Sequence, residues 1–272
     1  MTRRGGVREA LVIAALAGYA VPFFWQLLTS FKAEADLLRL PPLVPARLTL
    51  AHYRVVLEQS LLPEALGNSL GVAALTTLLA LGVGLPAAYA IARLPVPGRG
   101  ALLLAIVAST AFPQIATVSP LYLLLRALRL RDTWTALVLA HTSFALPLTV
   151  WLLAGFIREI PWVLEESAAV DGASRVRAFR SVLLPLLAPG IASAGLLAFL
   201  FSWNEFLFAY TFTATEASRT APVALALFPG VFEVPWGDIA AASMLASLPP
   251  LLIVVVLQRY LVRGLLAGAV KD

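Results

Sequence analysis

Six uncharged, mainly apolar runs dominate the chain: Ala10–Phe31, Ala65–Ala92, Gly100–Leu125, Thr133–Ile157, Ser181–Asn204 and Ile239–Gln258. Even the shortest has 20 residues, about the length a helix needs to cross a bilayer core. Each run therefore predicts a membrane-spanning helix. Composition agrees: 60% of residues are hydrophobic and only 13% are charged, against about 25% charged in a soluble domain. The fifth run is expected to continue past Glu205 towards Thr211, giving a span over 181–211. The apolar stretch Thr220–Phe232 is shorter and carries Pro222 and Pro229, so it reads as an interfacial or re-entrant loop. Prolines within spans (Pro22, Pro86, Pro113, Pro147) are tolerable, because neighbouring helices can satisfy the freed carbonyls.

The first run follows Arg3, Arg4 and Arg8 and is longer than the apolar core of a signal peptide. It reads as a retained span. Basic residues orient the rest. With the N-terminus inside, twelve Lys and Arg fall on the inner side and eight on the outer side. Both termini are thus expected in the cytoplasm, together with the segment 158–185. The first outer loop, Lys32–Glu64, holds Pro41, Pro42 and Pro45, which forbid a continuous helix there. The whole chain, 1–272, reads as one transmembrane domain. A net charge of +5 suits anionic lipid headgroups, and no Arg-rich, aromatic-interleaved block suggests a nucleic-acid surface.

Several chemistries lack their residues. Only Lys32 and Lys271 are lysines, and neither follows a glycine-rich loop, so the phosphate-binding loop of an ATPase is missing. There are no cysteines and two separated histidines, His52 and His141, which speaks against a zinc site. Charges inside the spans are nearly absent, and proton-coupled carriers rely on them. His141 reads as a hydrogen-bonded packing or cavity residue. No cluster suggests a membrane-embedded enzyme. A stand-alone secondary transporter or channel remains the competing class.

The segment "IREIPWVLEESAAVDGAS" enters the charged gap between the fourth and fifth runs. Pro161 suits the first turn of a short helix. Gly172 fits the left-handed position that ends it, and Ser174 can cap the next helix. That second helix would carry Val176, Phe179, Val182 and Leu183 on one face, with Pro185 ending the unit. Small Ala168 and Ala169 allow another backbone to approach. Glu165, Glu166 and Asp171 offer carboxylates to a partner, while Arg175, Arg177 and Arg180 reach for headgroups or acids. Composition alone also fits an amphipathic membrane-surface loop with solvated charges.

The spacing of this segment resembles the cytoplasmic "EAA" loop of ABC-importer permeases. The family pattern is E-A-A, three residues, G, nine residues, I, one residue, L-P. Here it reads Glu166-Ser167-Ala168, Gly172, Val182 and Leu184-Pro185, with Ser167 replacing an alanine and Val182 an isoleucine. "LTLAHY", "LGNSL", "SWNEFLFA" and "QRYLVRGLLAGAVKD" are similar to sugar-uptake permeases of the maltose type, although Asp272 stands where a glycine usually ends the tail. The resemblance implies an all-α type I ABC-importer transmembrane domain: six transmembrane helices and a cytoplasmic coupling helix. It implies a bacterial or archaeal inner membrane and four kinds of partner. These are a second permease, a dimer of ATPase subunits, an extracytoplasmic sugar-binding protein and membrane lipid. No cofactor is expected on this chain, since Mg-ATP would sit on the ATPase subunits. Coupling would fall to Glu166, Ser167, Ala168, Asp171, Gly172, Leu184 and Pro185, with Glu165 an adjacent, solvated carboxylate. The substrate would be a mono- or oligosaccharide, a non-sugar solute being the alternative.

Some polar residues near the spans are candidates for the pathway or for contact with the binding protein. Glu205 follows Trp203 and Asn204, about 30 Å along a helix from Pro185, near the outer end of the fifth span. Two readings stay open there: a carboxylate at the interface beside an interfacial tryptophan, or Asn204 and Glu205 lining the pathway. Asn68, Gln114 and Thr117 are further candidates that also suit inter-helix hydrogen bonds.

Overall fold

A computed structural model describes the backbone of residues 3–37, 47–228 and 234–269, and the side chains of 9–37, 47–228 and 234–258. Pro41, Pro42, Pro45, Pro229 and the last residues of the tail lie outside the described residues. Among those described, the architecture is helical; the one β feature is an isolated bridge between Lys32 and Leu48. In chain order the helices are α1 (Arg3–Ser30), α2 (Glu34–Leu37), α3 (Ala51–Gln59), α4 (Leu62–Arg93), α5 (Arg99–Ala108), α6 (Gln114–Ala127), α7 (Trp134–Glu159), α8 (Val163–Val170), α9 (Arg175–Ala178), α10 (Leu184–Leu186), α11 (Ala188–Asn204), α12 (Leu207–Phe212), α13 (Ala221–Ala226) and α14 (Trp236–Ala269). Four helices are long and apolar enough to cross a membrane, and six spans result if each of two bent pairs counts as one.

Two of the six expected spans are bent pairs. The third run breaks between α5 and α6, with a bend of 92°. Ser109 and Thr110 donate to the carbonyls of Ile106 and Val107, and residues Ser109–Ala111 tighten into a 3-10 turn. Phe112 then turns extended, at φ −71° and ψ 129°, as a residue preceding proline tends to. Helices α1, α4 and α7, by contrast, run through Pro22, Pro86 and Pro147.

The fifth run bends by 74° between residues Arg175–Leu186 and Ala188–Asn204. Pro185 therefore does not end the unit; it lies inside α10, and the bend follows it. Nor does α11 continue to Thr211. It stops at Asn204, and Glu205 turns extended before α12 begins. Of the expected re-entrant loop, the described part holds the short helix α13.

The described residues group into two compact units. In the unit built from 1–63 and 224–248, α1 exposes its apolar surface. His52 on α3 lies 2.6 Å from Asp238 of α14 and 2.9 Å from the Lys32 carbonyl. Lys32 itself is buried beneath the face of Trp25. The other unit carries the cores that position the site. One core joins Ala88 and Ile91 of α4, Leu153 and Ile157 of α7, and Leu183 and Leu187 of the fifth run. Another joins Val72, Leu137, Ala140, Phe208 and Phe212. Gly190 meets the Phe156 ring so closely that any Cβ would collide with it.

Candidate functional site: the 158–187 segment and its anchor

The segment after α7 folds as two short helices joined by a glycine turn. Glu165 and Glu166 occupy the first turn of α8, where carboxylates complement the helix dipole. At its end, Gly172 N donates to the Ala169 carbonyl and Ala173 N to that of Ala168. This pair of bonds is the Schellman arrangement, and it needs a left-handed residue; Gly172 supplies it at φ +82°. Open space surrounds the place where a Cβ would sit, so backbone conformation and not crowding selects glycine. Ser174 caps α9, accepting from Arg177 N at 3.3 Å. After α9 the backbone widens into a π turn over Phe179–Leu183. That turn shifts the phase of the second helix. Leu183 is buried and Phe179 and Val182 are half-buried, but Val176 faces outward, contrary to the single face expected.

Glu165 is the larger correction. It is not solvated but buried. Its Oε1 lies 2.8 Å from Nε of Arg93, the last residue of α4. The approach is off the hydrogen-bond direction, so charge rather than alignment carries this contact. Tyr89, one turn back, donates to Glu165 Oε2 at 3.1 Å. Arg93 also donates through Nη2 to the Ile160 carbonyl at 2.5 Å, and its guanidinium lies 5.2 Å from the centre of the Trp162 ring. Beside the segment lies an open cavity of about 340 Å³, lined in part by Tyr89, Arg93, Glu165 and Arg175 and reached by Glu166 at its edge. Sequence reasoning missed Arg93 and Tyr89. The available signal was a cation directly after one apolar run and an acid in the charged gap between the fourth and fifth runs.

The opposite face is bare. Glu166, Ser167, Asp171, Gly172 and Pro185 are exposed, and Ala168 and Leu184 are half-buried. Val170, at the end of α8, is 88% exposed, and Val163 and Val176 are 59% exposed. These apolar tips stand among charged neighbours.

The second polar site surrounds Glu205. Its oxygens accept from the backbone N of Phe208 and Ala209 at 2.8 and 3.1 Å, satisfying the first turn of α12. His141 on α7 lies 3.0 Å away through Nε2 and 2.8 Å from Ser202 through Nδ1. His141 is fully buried, in keeping with a hydrogen-bonded packing residue. Trp203 is not an interfacial aromatic: it is buried and stacks on Phe199. Asn204 is exposed and donates to the Leu200 carbonyl. Asn68 is buried and donates to the carbonyls of Glu216 and Arg219. Gln114 begins α6, half-buried. Asn68 and Gln114 thus stand apart from the Glu205 cluster in their contacts.

Asp132 was also missed. At φ +59° it accepts from Ala214 N, Thr215 N, Thr215 Oγ1 and Ser218 Oγ, tying the α6–α7 turn to the loop after α12. Desolvation pushes its carboxyl up, but these donors outweigh that and hold it well below the usual carboxylate range. Among the described residues, no group of three or more His, Asp or Glu could hold a metal.

Residues 80–267 match the family model of the binding-protein-dependent transport system inner membrane component. The chain belongs to this family. As an importer permease it resembles the trehalose transport system permease protein SugB of Mycobacterium tuberculosis, 43% identical over 98% of this chain and 99% of that protein. It also resembles the trehalose/maltose transport system permease protein MalG of Thermococcus litoralis, 38% identical over 92% and 91% of the two chains. The permease shares its fold with a bacterial ABC transporter involved in import of the acidic polysaccharide alginate. There the TM-score is 0.81 at 20% identity, over 96% and 98% of the chains. The fold is that of a type I importer permease in a multi-pass membrane protein.

Proposed function

We propose that this permease is one subunit of an ATP-driven importer of saccharides. A second permease supplies the other half of the pathway, and an external binding protein delivers the sugar. Relatives named for trehalose, maltose and sulfoquinovosyl glycerol support the substrate class. The chain does no chemistry of its own. Mg-ATP is bound by separate ATPase subunits, on which residues 163–186 dock, and both termini lie on that same cytoplasmic side.

The observation that carries this reading is the two-faced α8–α9 segment. Its inner face is fixed to α4 through Glu165 and Arg93, and its outer face presents Glu166, Val170 and Asp171. Movement of an ATPase subunit against the outer face is thereby delivered to a membrane helix, as alternating access requires. The test is ATP-dependent uptake of labelled trehalose and maltose by the reconstituted complex. Wild type takes up at least one of them. Gly172→Asp inserts and assembles but does not transport. Uptake by the purified chain alone without ATP, or normal uptake by Gly172→Asp, would refute the coupling role.

A further inference from the structure

The turn between α6 and α7 departs from two ordinary habits at once. Helix α6 ends in a Schellman arrangement, with Leu130 N donating to the Leu125 carbonyl and Arg129 N to that of Arg126. The left-handed position is filled by Arg129, at φ +56°, where glycine is the usual residue. The matching turn after α8 does use glycine, at Gly172. Arg129 and Asp132 are the two non-glycine residues with positive φ among the described residues. Backbone held in an unfavoured conformation points to a local task. Asp132 has one, since it fastens the turn to the loop after α12.

The second departure is charge. Arg126, Arg129 and Arg131 fall within six residues, and all three are exposed. Among the described residues, no carboxylate lies within ion-pair distance of any of them. The acid of the turn is already committed, because four donors occupy Asp132. Arg131 leans over Tyr122, its guanidinium 5.1 Å from the ring centre. Beside the arginines the surface is apolar: Leu123, Leu124 and Leu128 are each more than half exposed. Trp134 is exposed at the start of α7, and such rings sit at membrane surfaces.

Helix α7 decides which surface this is. The turn and the α8–α9 segment lie at opposite ends of its 26 residues, about 39 Å, enough to cross a core of about 30 Å. With α8–α9 in the cytoplasm, the turn meets the outer leaflet. Cations ordinarily gather on the cytoplasmic side, so this cluster runs against the trend. A guanidinium fork matches a phosphate, and three unneutralised forks favour a headgroup with net negative charge. A soluble partner docking from above would meet the arginines and leave the leucines uncovered; a lipid covers both.

We propose that the α6–α7 turn is a binding site for an anionic phospholipid of the outer leaflet. Arg126 and Arg129 hold the headgroup phosphate, and Leu124 and Leu128 receive the acyl chain. The leaflet rests on the orientation reading given above; the lipid site itself does not.

The test uses the complete complex with its other subunits cysteine-free. This chain has no cysteine of its own, so Ala127→Cys, exposed at the end of α6, carries a single bimane fluorophore in phosphatidylcholine nanodiscs. Phosphatidylglycerol with a nitroxide high on its acyl chain should quench it about threefold more than the same mole fraction of nitroxide-labelled phosphatidylcholine. Arg126→Gln with Arg129→Gly should bring that ratio to about one, and about 0.5 M salt should lower it. Arg129→Gly alone should lower the ratio without lowering the melting temperature, because glycine accepts the left-handed turn. Arg54→Gln, whose arginine pairs with Glu58, should leave the ratio unchanged. A wild-type ratio near one, or a ratio that survives loss of both arginines, overturns the site. So does a double variant that keeps the ratio but binds the external binding protein less tightly, which would assign the arginines to that partner. A membrane-impermeant maleimide should react with unlabelled Ala127→Cys from outside intact cells. Reaction from the cytoplasmic side alone overturns the outer leaflet and the orientation reading, whatever the quenching ratio.

Discussion

Glu165 and Glu205 are both buried, yet one faces a permanent cation and the other faces backbone amides and an imidazole. A guanidinium stays charged at any physiological pH, so Glu165 and Arg93 form an ion pair whose halves depend on each other. Glu205 instead completes a broken helix, supplying acceptors that α12 lacks. The first is a joint between two elements; the second is a repair within one. The comparison teaches that buried acids in this protein do unlike work, and that burial alone does not identify a coupling residue.

Breaking the joint is expected to have the largest effect. Glu165→Ala leaves Arg93 buried without a counter-charge, a loss of about 3–5 kcal/mol for such pairs. Thermal unfolding of the purified complex measures it. Replacing both partners by apolar residues, Arg93→Met with Glu165→Leu, should restore much of the stability while uptake stays impaired. Full recovery of uptake would show that the pair serves packing only.

Breaking the repair also costs stability, but it leaves no permanent cation unpaired. Glu205→Ala strips the acceptor from two buried N–H groups, each worth about 1–3 kcal/mol. Glu205→Gln keeps one acceptor oxygen and should lose less, by the same unfolding measurement. If Gln were as damaging as Ala, charge rather than hydrogen bonding would be the property that matters at 205.

Asp132 gives the smallest and most conditional effect. Its depressed carboxyl contributes stability that is complete above the ordinary carboxylate value of about 3.9 and is lost as pH falls through the lower folded value. Amide exchange over 213–219 should remain slow at about pH 4 and quicken only below it. Asp132→Asn should quicken exchange at neutral pH, with little change near Glu165.

The spans were legible because runs of 20 or more apolar residues leave the backbone one way to satisfy itself. The bends were not. Pro22, Pro86 and Pro147 sit inside continuous helices while Pro113 stands at a break, as the residue before α6, and hydropathy does not distinguish them. The glycine turn and the Ser174 cap were legible because their chemistry is local. The exposure of Val176 was not, because a constant helical period was carried across a segment that widens at Phe179. Arg93 and Glu165 were hidden for a different reason: their pairing depends on how α4 meets the segment after α7, and neither neighbourhood signals the other.

Helix α4 runs 32 residues without interruption, about 48 Å at 1.5 Å per residue. Near one end, Asn68 grips the carbonyls of Glu216 and Arg219; at the other, Arg93 grips Glu165. The helix is therefore a push-rod with a clamp at each tip. So long as it stays straight through Pro86, displacement of the α8 segment by a given distance along the rod must appear at the 216–219 loop as the same distance.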